Sequence, residues 1–169
     1  KHCLATEAAM KALYRRLNSQ YIQEEESKWG IVGLLHDADY EMAKGKPEVH
    51  GLLLFEKEPN SIPQDIAYAI KAHNFENTKV EPKTLMDWSI YSVDQLTGLI
   101  VAATLIHPDK KLSSITPEFV LNRFNENSFA KGADRNSIKR CKEKLGIPLP
   151  EFIAITLNAM QGISNTLGL

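Results

Sequence analysis

From Thr84 to Ile106 the sequence reads as one long helix with an acid, Asp94, set in its apolar middle. Thr84-Leu85-Met86-Asp87 places a cap residue three positions before an acid, the pattern of a capping box. Ile90, Val93, Leu96 and Leu99 then recur at helical spacing around Asp94. A carboxylate is seldom fully buried unless it is paired. The fold therefore has to bring Asp94 a partner from elsewhere in the chain, and few arrangements do so.

The remaining pattern is helical nearly throughout. Residues 2–18 carry Leu4, Ala8, Leu13 and Leu17 at helical spacings. The polar cluster Gln23 to Lys28 is expected to separate that helix from the apolar run Trp29–Asp37, and Gly45-Lys46-Pro47 to break the chain again. Ser61-Ile62-Pro63-Gln64 predicts a second capping box, opening a helix through Ile66, Ile70 and His73. Past the basic connection after His107-Pro108, Thr116-Pro117-Glu118 orders a cap, a first-turn proline and an acid as helix starts prefer. Asp134 to Leu145 predicts a charged helix closed by Gly146, and Pro148 and Pro150 precede a last helix with Phe152, Ile153, Leu157, Met160 and Ile163 inward. No run alternates polar and apolar residues over a strand's length. The predicted fold is all-α, one compact domain over 1–169, with a metal site between its core helices.

Composition narrows the function. With 20 basic and 21 acidic side chains the chain has no global attraction for nucleic acid polymers or anionic membranes, so anion binding has to be local. The longest apolar run, Leu99 to Ile106, interrupted by Thr104, is under half of the roughly 20 residues that span a bilayer. Cys3 and Cys141 are far apart and read as reduced thiols of a cytoplasmic protein, Cys3 packing on the inner side of the first helix. A candidate ligand, His2, follows Lys1 at the very start, where chains fray; a short segment is therefore expected before Lys1.

Five histidines are present, and their settings differ. His36 ends the apolar run Ile31-Val32-Gly33-Leu34-Leu35 and is followed at once by Asp37. A ring nitrogen and a carboxylate emerging together from a buried helix need partners, and one divalent cation satisfies both. Asp94, His2, His50 and His73 occupy similar apolar borders of other helices. Taken singly each has a bland reading, as a capped, solvated or dipole-facing side chain. Together they form a nitrogen and carboxylate set without thiolates, which suits Mn, Fe, Co, Ni, Zn or Mg.

The order His2 … His36-Asp37 … Asp94 resembles the H…HD…D signature of the HD-domain superfamily, helical metal-dependent phosphohydrolases. The strings "KHCLATEAAM", "GLLHDADYE", "VHG", "AIKAHN", "YSVDQLTGLIVAATLIHPDKKL" and "SFAKGADR" are similar to a bacterial and archaeal branch of it, nearly end to end. The resemblance implies that His2, His36, Asp37 and Asp94 bind a first metal. In two-metal members the Asp of the pair bridges and two intervening histidines, here His50 and His73, hold a second ion. One or two divalent ions are thus expected.

The chemistry implied is attack of metal-activated water on a small phosphate ester, a nucleotide or a related molecule. His73 and His50 are candidate proton donors, with Asp39 and Glu41 as the alternatives. Lys111, Lys131 and Arg135 are the candidate phosphate-binding cations. The run Lys139 to Lys144 reads as a solvated helix face, and His107 has no ligand role. Two other functions fit the same order: a di-iron oxygenase, and a non-catalytic module that binds a nucleotide to regulate a partner.

Overall fold

The backbone N–H of Asp87 donates to Thr84 Oγ1 at 3.2 Å, and Asp87 Oδ2 accepts the N–H of Thr84 at 3.0 Å. This reciprocal box starts the helix that organises the molecule. The computed structural model describes residues 1–57 and 62–169. In chain order its helices are α1 (His2–Leu17), α2 (Gln23–Leu35), α3 (Leu53–Lys57), α4 (Gln64–Ala72), α5 (Phe75–Thr78), α6 (Leu85–Ile106), α7 (Pro117–Asn125), α8 (Arg135–Leu145), α9 (Leu149–Gly162) and α10 (Ser164–Leu167). No strand occurs among the described residues, and the helices form one all-α domain.

Helix α6 lies at the centre, packed by α1, α4, α7, α8 and α9, while α1 also packs on α2 and α9. Met10 and Leu13 of α1, Ile70 of α4, Ile90, Leu96, Leu99 and Ile100 of α6, Ile138 of α8 and Phe152 of α9 are fully buried in one cluster. By length and composition α6 could cross a membrane, yet 61% of its most apolar window is buried inside the protein. Its hydropathy is that of a core helix wrapped by its neighbours.

Helices α1 and α2 approach closely at Gly33. A Cβ there would lie 2.7 Å from the carbonyl oxygen of Thr6 and 2.8 Å from Cα of Glu7, so only a glycine lets the backbones meet. That contact sets the first residue of α1, His2, against the C-terminal edge of α2.

Several expectations are corrected. The cluster Gln23–Lys28 does not separate helices; it forms the first turns of α2. Glu24, Glu25 and Glu26 suit the positive end of the helix, and Glu26 is paired with Arg15 of α1. Helix α2 ends at Leu35, so His36 is its C-cap and Asp37 belongs to the following turn. The cap expected at Ser61 lies outside the described residues, and α4 starts at Gln64 behind Pro63. The cap at Thr116 is as read, accepting from the Phe119 N–H; Asp134, expected as the first residue of its helix, is the N-cap of α8 and accepts from the N–H groups of Asn136 and Ser137. Gly146 closes α8 in the left-handed conformation, with φ 68°. The short helices α3, α5 and α10 carry too few residues to show a periodicity.

Candidate metal centre

Five separate pieces of chain supply the site: the first turn of α1 (His2), the end of α2 (His36, Asp37), the loop before α3 (His50), the C-cap of α4 (His73) and the middle of α6 (Asp94). They converge. His2 Nε2 lies 2.8 Å from Asp94 Oδ1, 3.2 Å from His36 Nε2 and 3.5 Å from Asp37 Oδ2. His36 Nε2 lies 3.4 Å from Asp94 Oδ1 and 3.5 Å from Asp37 Oδ2. On the other side, His50 Nε2 lies 3.1 Å from Asp37 Oδ1 and 3.1 Å from His73 Nε2. Asp37 thus gives one carboxylate oxygen to each pair of rings, and the two clusters, His2–His36–Asp37 and Asp37–His50–His73, share it.

The tautomer of every ring is fixed from behind. His36 Nδ1 lies 2.8 Å from the Gly33 carbonyl and His73 Nδ1 2.5 Å from that of Ile70. A carbonyl only accepts, so each of these nitrogens carries the proton. His50 Nδ1 donates to Asp39 Oδ1 at 2.8 Å. The Thr97 hydroxyl donates to the Asp94 carbonyl at 2.8 Å, and so accepts from His2 Nδ1 at 3.3 Å. All four Nε2 atoms are left facing the shared centre. Orienting a histidine through its far nitrogen is the arrangement that metal-ligating imidazoles adopt.

The electrostatics match. Burial alone would raise the Asp94 carboxyl, but hydrogen bonds from His2 and His36 hold it well below the usual carboxylate range. Asp37 is lowered too, burial being outweighed by His50 and His36. For His36 and His50 burial opposes the charged ring, yet Asp94 and Asp37 respectively outweigh it and raise both. The carboxylates thus draw positive charge to these rings. Burial and the neighbouring His36 push His73 down to about 4, so its ring is neutral at pH 7. Imidazoles and ionised carboxylates, without a thiolate, are a donor set that fits the divalent metals named above. Cys3 stays outside it: half-buried on the first turn of α1, it is held as a thiol by burial and by Asp37.

Of the two carboxylates expected as proton carriers, Asp39 is placed otherwise. Asp39 is 1% exposed, and its oxygens accept from His50 Nδ1 and from the backbone N–H groups of Gly51 and Leu53, all at 2.8–2.9 Å. It orients His50 and has no open route to a substrate. Glu41 is exposed on the turn beyond Asp37. Gly51 holds φ 87°, and a Cβ there would meet the His73 ring at 3.2 Å, so glycine admits the two rings side by side.

Openings flank both halves. A cavity of about 380 Å3 is bordered by His2, Asp94, Gln95, Gly98 and Ala130. A smaller one, about 210 Å3, is bordered by His50, Tyr40 and Lys44. Lys44 was invisible to sequence reasoning, because a lysine in a turn has no pattern that separates it from a solvated one.

The expected phosphate-binding cations are scattered. Lys111 lies beyond the end of α6, and the helix rise puts even Ile106 about 18 Å along the axis from Asp94. It does not join the site. The Arg135 guanidinium is turned to the loop before α8, donating to the carbonyls of Ala130 at 2.5 Å, Ala133 at 2.8 Å and Phe129. It holds Ala130 in its left-handed conformation, φ 41°. Lys131 is exposed and borders a separate cavity of about 540 Å3. His107 stands outside the centre, its Nδ1 accepting from the Asp109 N–H at 3.3 Å.

No family model, curated protein or solved structure matches this chain, so the chemistry of the site is argued from its own residues.

Proposed function

We propose that the chain is a metal-dependent phosphohydrolase of the HD kind acting on a small phosphate ester, nucleotides being the first class to test. The observation that carries this reading is the division of Asp37 between two histidine pairs, Oδ2 toward His2 and His36 and Oδ1 toward His50. His2, His36 and Asp94 with Asp37 would hold one divalent ion, and His50 and His73 with Asp37 a second. Such an ion supplies a nucleophilic water at neutral pH and withdraws charge from phosphoryl oxygens.

The chain's own part is to orient and to balance charge. Asp39, Thr97 and the carbonyls of Gly33 and Ile70 fix the four rings. His73, buried and neutral, serves as a ligand and not as a proton donor, which needs a pKa near the working pH. Lys44 is the cation beside His50 that can meet a phosphoryl oxygen. The free cysteines fit a reducing compartment, the cytoplasm.

Metal analysis of protein purified without a chelating tag, followed by a phosphomonoester and phosphodiester panel with Mn, Co, Ni or Mg, tests the reading. Hydrolysis of at least one ester, abolished in Asp37→Asn, is the expected result. Metal-loaded protein inert across the panel overturns it. Two irons with oxygen consumption would instead make the chain an oxygenase, and tight nucleotide binding without turnover, unaffected by Asp37→Ala, a regulatory module.

A further inference from the structure

The cavity of about 540 Å3 between Phe124, the loop before α8 and α8 itself lies outside the histidine and carboxylate cluster. Its lining carries three cations, Lys131, Arg135 and Lys139, against one acid, Asp134. Elsewhere most arginines and several lysines are paired: Lys11 with Glu7, Arg16 with Glu151, Lys28 with Glu25, Arg123 with Glu126, Arg140 with Glu143. Around this cavity stand Lys131, Arg135 and Lys139, and among the described residues none of them makes an ion pair with a carboxylate. The single acid of the lining, Asp134, is spent on capping α8, accepting from the N–H groups of Asn136 and Ser137 and from the Ser137 hydroxyl. The start of α8 is therefore already satisfied, and the attraction for an anion comes from side chains. Amides of Asn125, Asn127 and Asn136 add donors to the same wall. Lys139, which the sequence assigns to a solvated helix face, is turned to this opening.

The cavity adjoins the opening of the histidine and carboxylate centre. Gly132 and Ala133 border both it and the opening at His2 and Asp94. Gln95 ties the two walls together: Nε2 donates to Asp94 Oδ2 at 2.9 Å, and Oε1 accepts the N–H of Asp134 at 3.1 Å. The Arg135 clamp on Phe129, Ala130 and Ala133 keeps the intervening loop in one shape.

We propose that this cavity is an anion-binding compartment taking a second phosphate of the substrate, remote from the ester that is cleaved, with Lys131 and Lys139 as its charge contacts. The substrate class is then a doubly phosphorylated small molecule lying across Gly132 and Ala133. The substrate assignment rests on phosphate-ester chemistry at the Asp37 centre; the existence of an anion site does not, and the experiment separates them.

The Lys131→Ala/Lys139→Ala double variant, two exposed side chains whose loss spares the core, is compared with wild type on adenosine 3′,5′-bisphosphate, fructose 1,6-bisphosphate and phenyl phosphate. KM for the bisphosphates is expected to rise at least about tenfold more than KM for phenyl phosphate, the scale of one or two lost charge-assisted hydrogen bonds. Equal changes on all three esters overturn the substrate assignment. Binding of inorganic pyrophosphate to chelator-treated protein is followed in parallel by backbone amide shifts of Asn125, Asn127 and Asn136. Shifts that vanish in the double variant establish the compartment even where no ester is hydrolysed, in which case the phosphohydrolase reading alone falls. Shifts that are absent, or unchanged by the double substitution, overturn the compartment.

Discussion

Nδ1 of His50 donates to Oδ1 of Asp39 across 2.8 Å, and this one bond decides which ring nitrogen faces Asp37. Asp39→Asn keeps the shape but turns one acceptor into a donor, facing either the His50 ring or the N–H groups of Gly51 and Leu53. Metal affinity is expected to fall about 10–100-fold, as when an orienting partner is lost. Competition with a chelating dye measures it, and an affinity equal to wild type would remove Asp39 from this role.

Metal count follows from the divided carboxylate of Asp37. Elemental analysis after saturation with Mn is expected to give two ions per chain for wild type. His73→Gln, which takes one ring from the Asp37–His50–His73 cluster, should leave one. Asp37→Asn should weaken both. A wild-type chain that saturates at one ion refutes the sharing.

Packing of α1 on α2 depends on the missing Cβ of Gly33. Gly33→Ala forces backbone apart from backbone at Thr6 and Glu7, a strain of about 1–3 kcal/mol. The urea midpoint should fall accordingly, and metal affinity with it, since α1 carries His2 and the Gly33 carbonyl anchors His36. Gly98→Ala is the control: a Cβ at that point in α6 meets nothing within 4 Å, and replacing a mid-helix glycine is expected to stabilise by roughly 0.5–1 kcal/mol. Equal effects of the two substitutions would refute the close approach.

Acid stability of α8 follows Asp134. Burial opposes its ionisation, but hydrogen bonds from Ser137 and from the N–H of Asn136 outweigh this and lower its pKa. A depressed folded-state pKa means that the unfolded chain takes up the proton first. The cap's contribution is then complete above the ordinary aspartate range and is lost as pH falls through the folded value. Asp134→Ala should cost about 1 kcal/mol at pH 7. The gap from wild type should close as acid protonates Asp134, read from thermal midpoints across pH. A gap that stays constant into strong acid would show that the charge is irrelevant.

Much of the site was legible because it is written locally. His36-Asp37 stands at the edge of an apolar run, and Asp94 is an acid among buried aliphatics; both facts survive without coordinates because burial of an ionisable group demands a partner. Orienting roles were not legible in the same way. Asp39 sits eleven residues before His50, and Arg135 holds a loop that precedes it, yet each looked like a functional charge. A carboxylate bound to backbone N–H groups and one facing a substrate have the same local sequence.

The sequence by itself determined the all-helical chain and where its longest helix starts, since the Thr84–Asp87 box and the cap at Thr116 act within a single turn. It also singled out the six side chains His2, His36, Asp37, His50, His73 and Asp94. Only the tertiary structure decided how they divide, with Asp37 between two ring pairs, and which cations gather around a cavity. Those outcomes depend on distances between helices that meet through packing at Gly33 and along α6, and no periodicity along the chain encodes the direction in which a lysine turns.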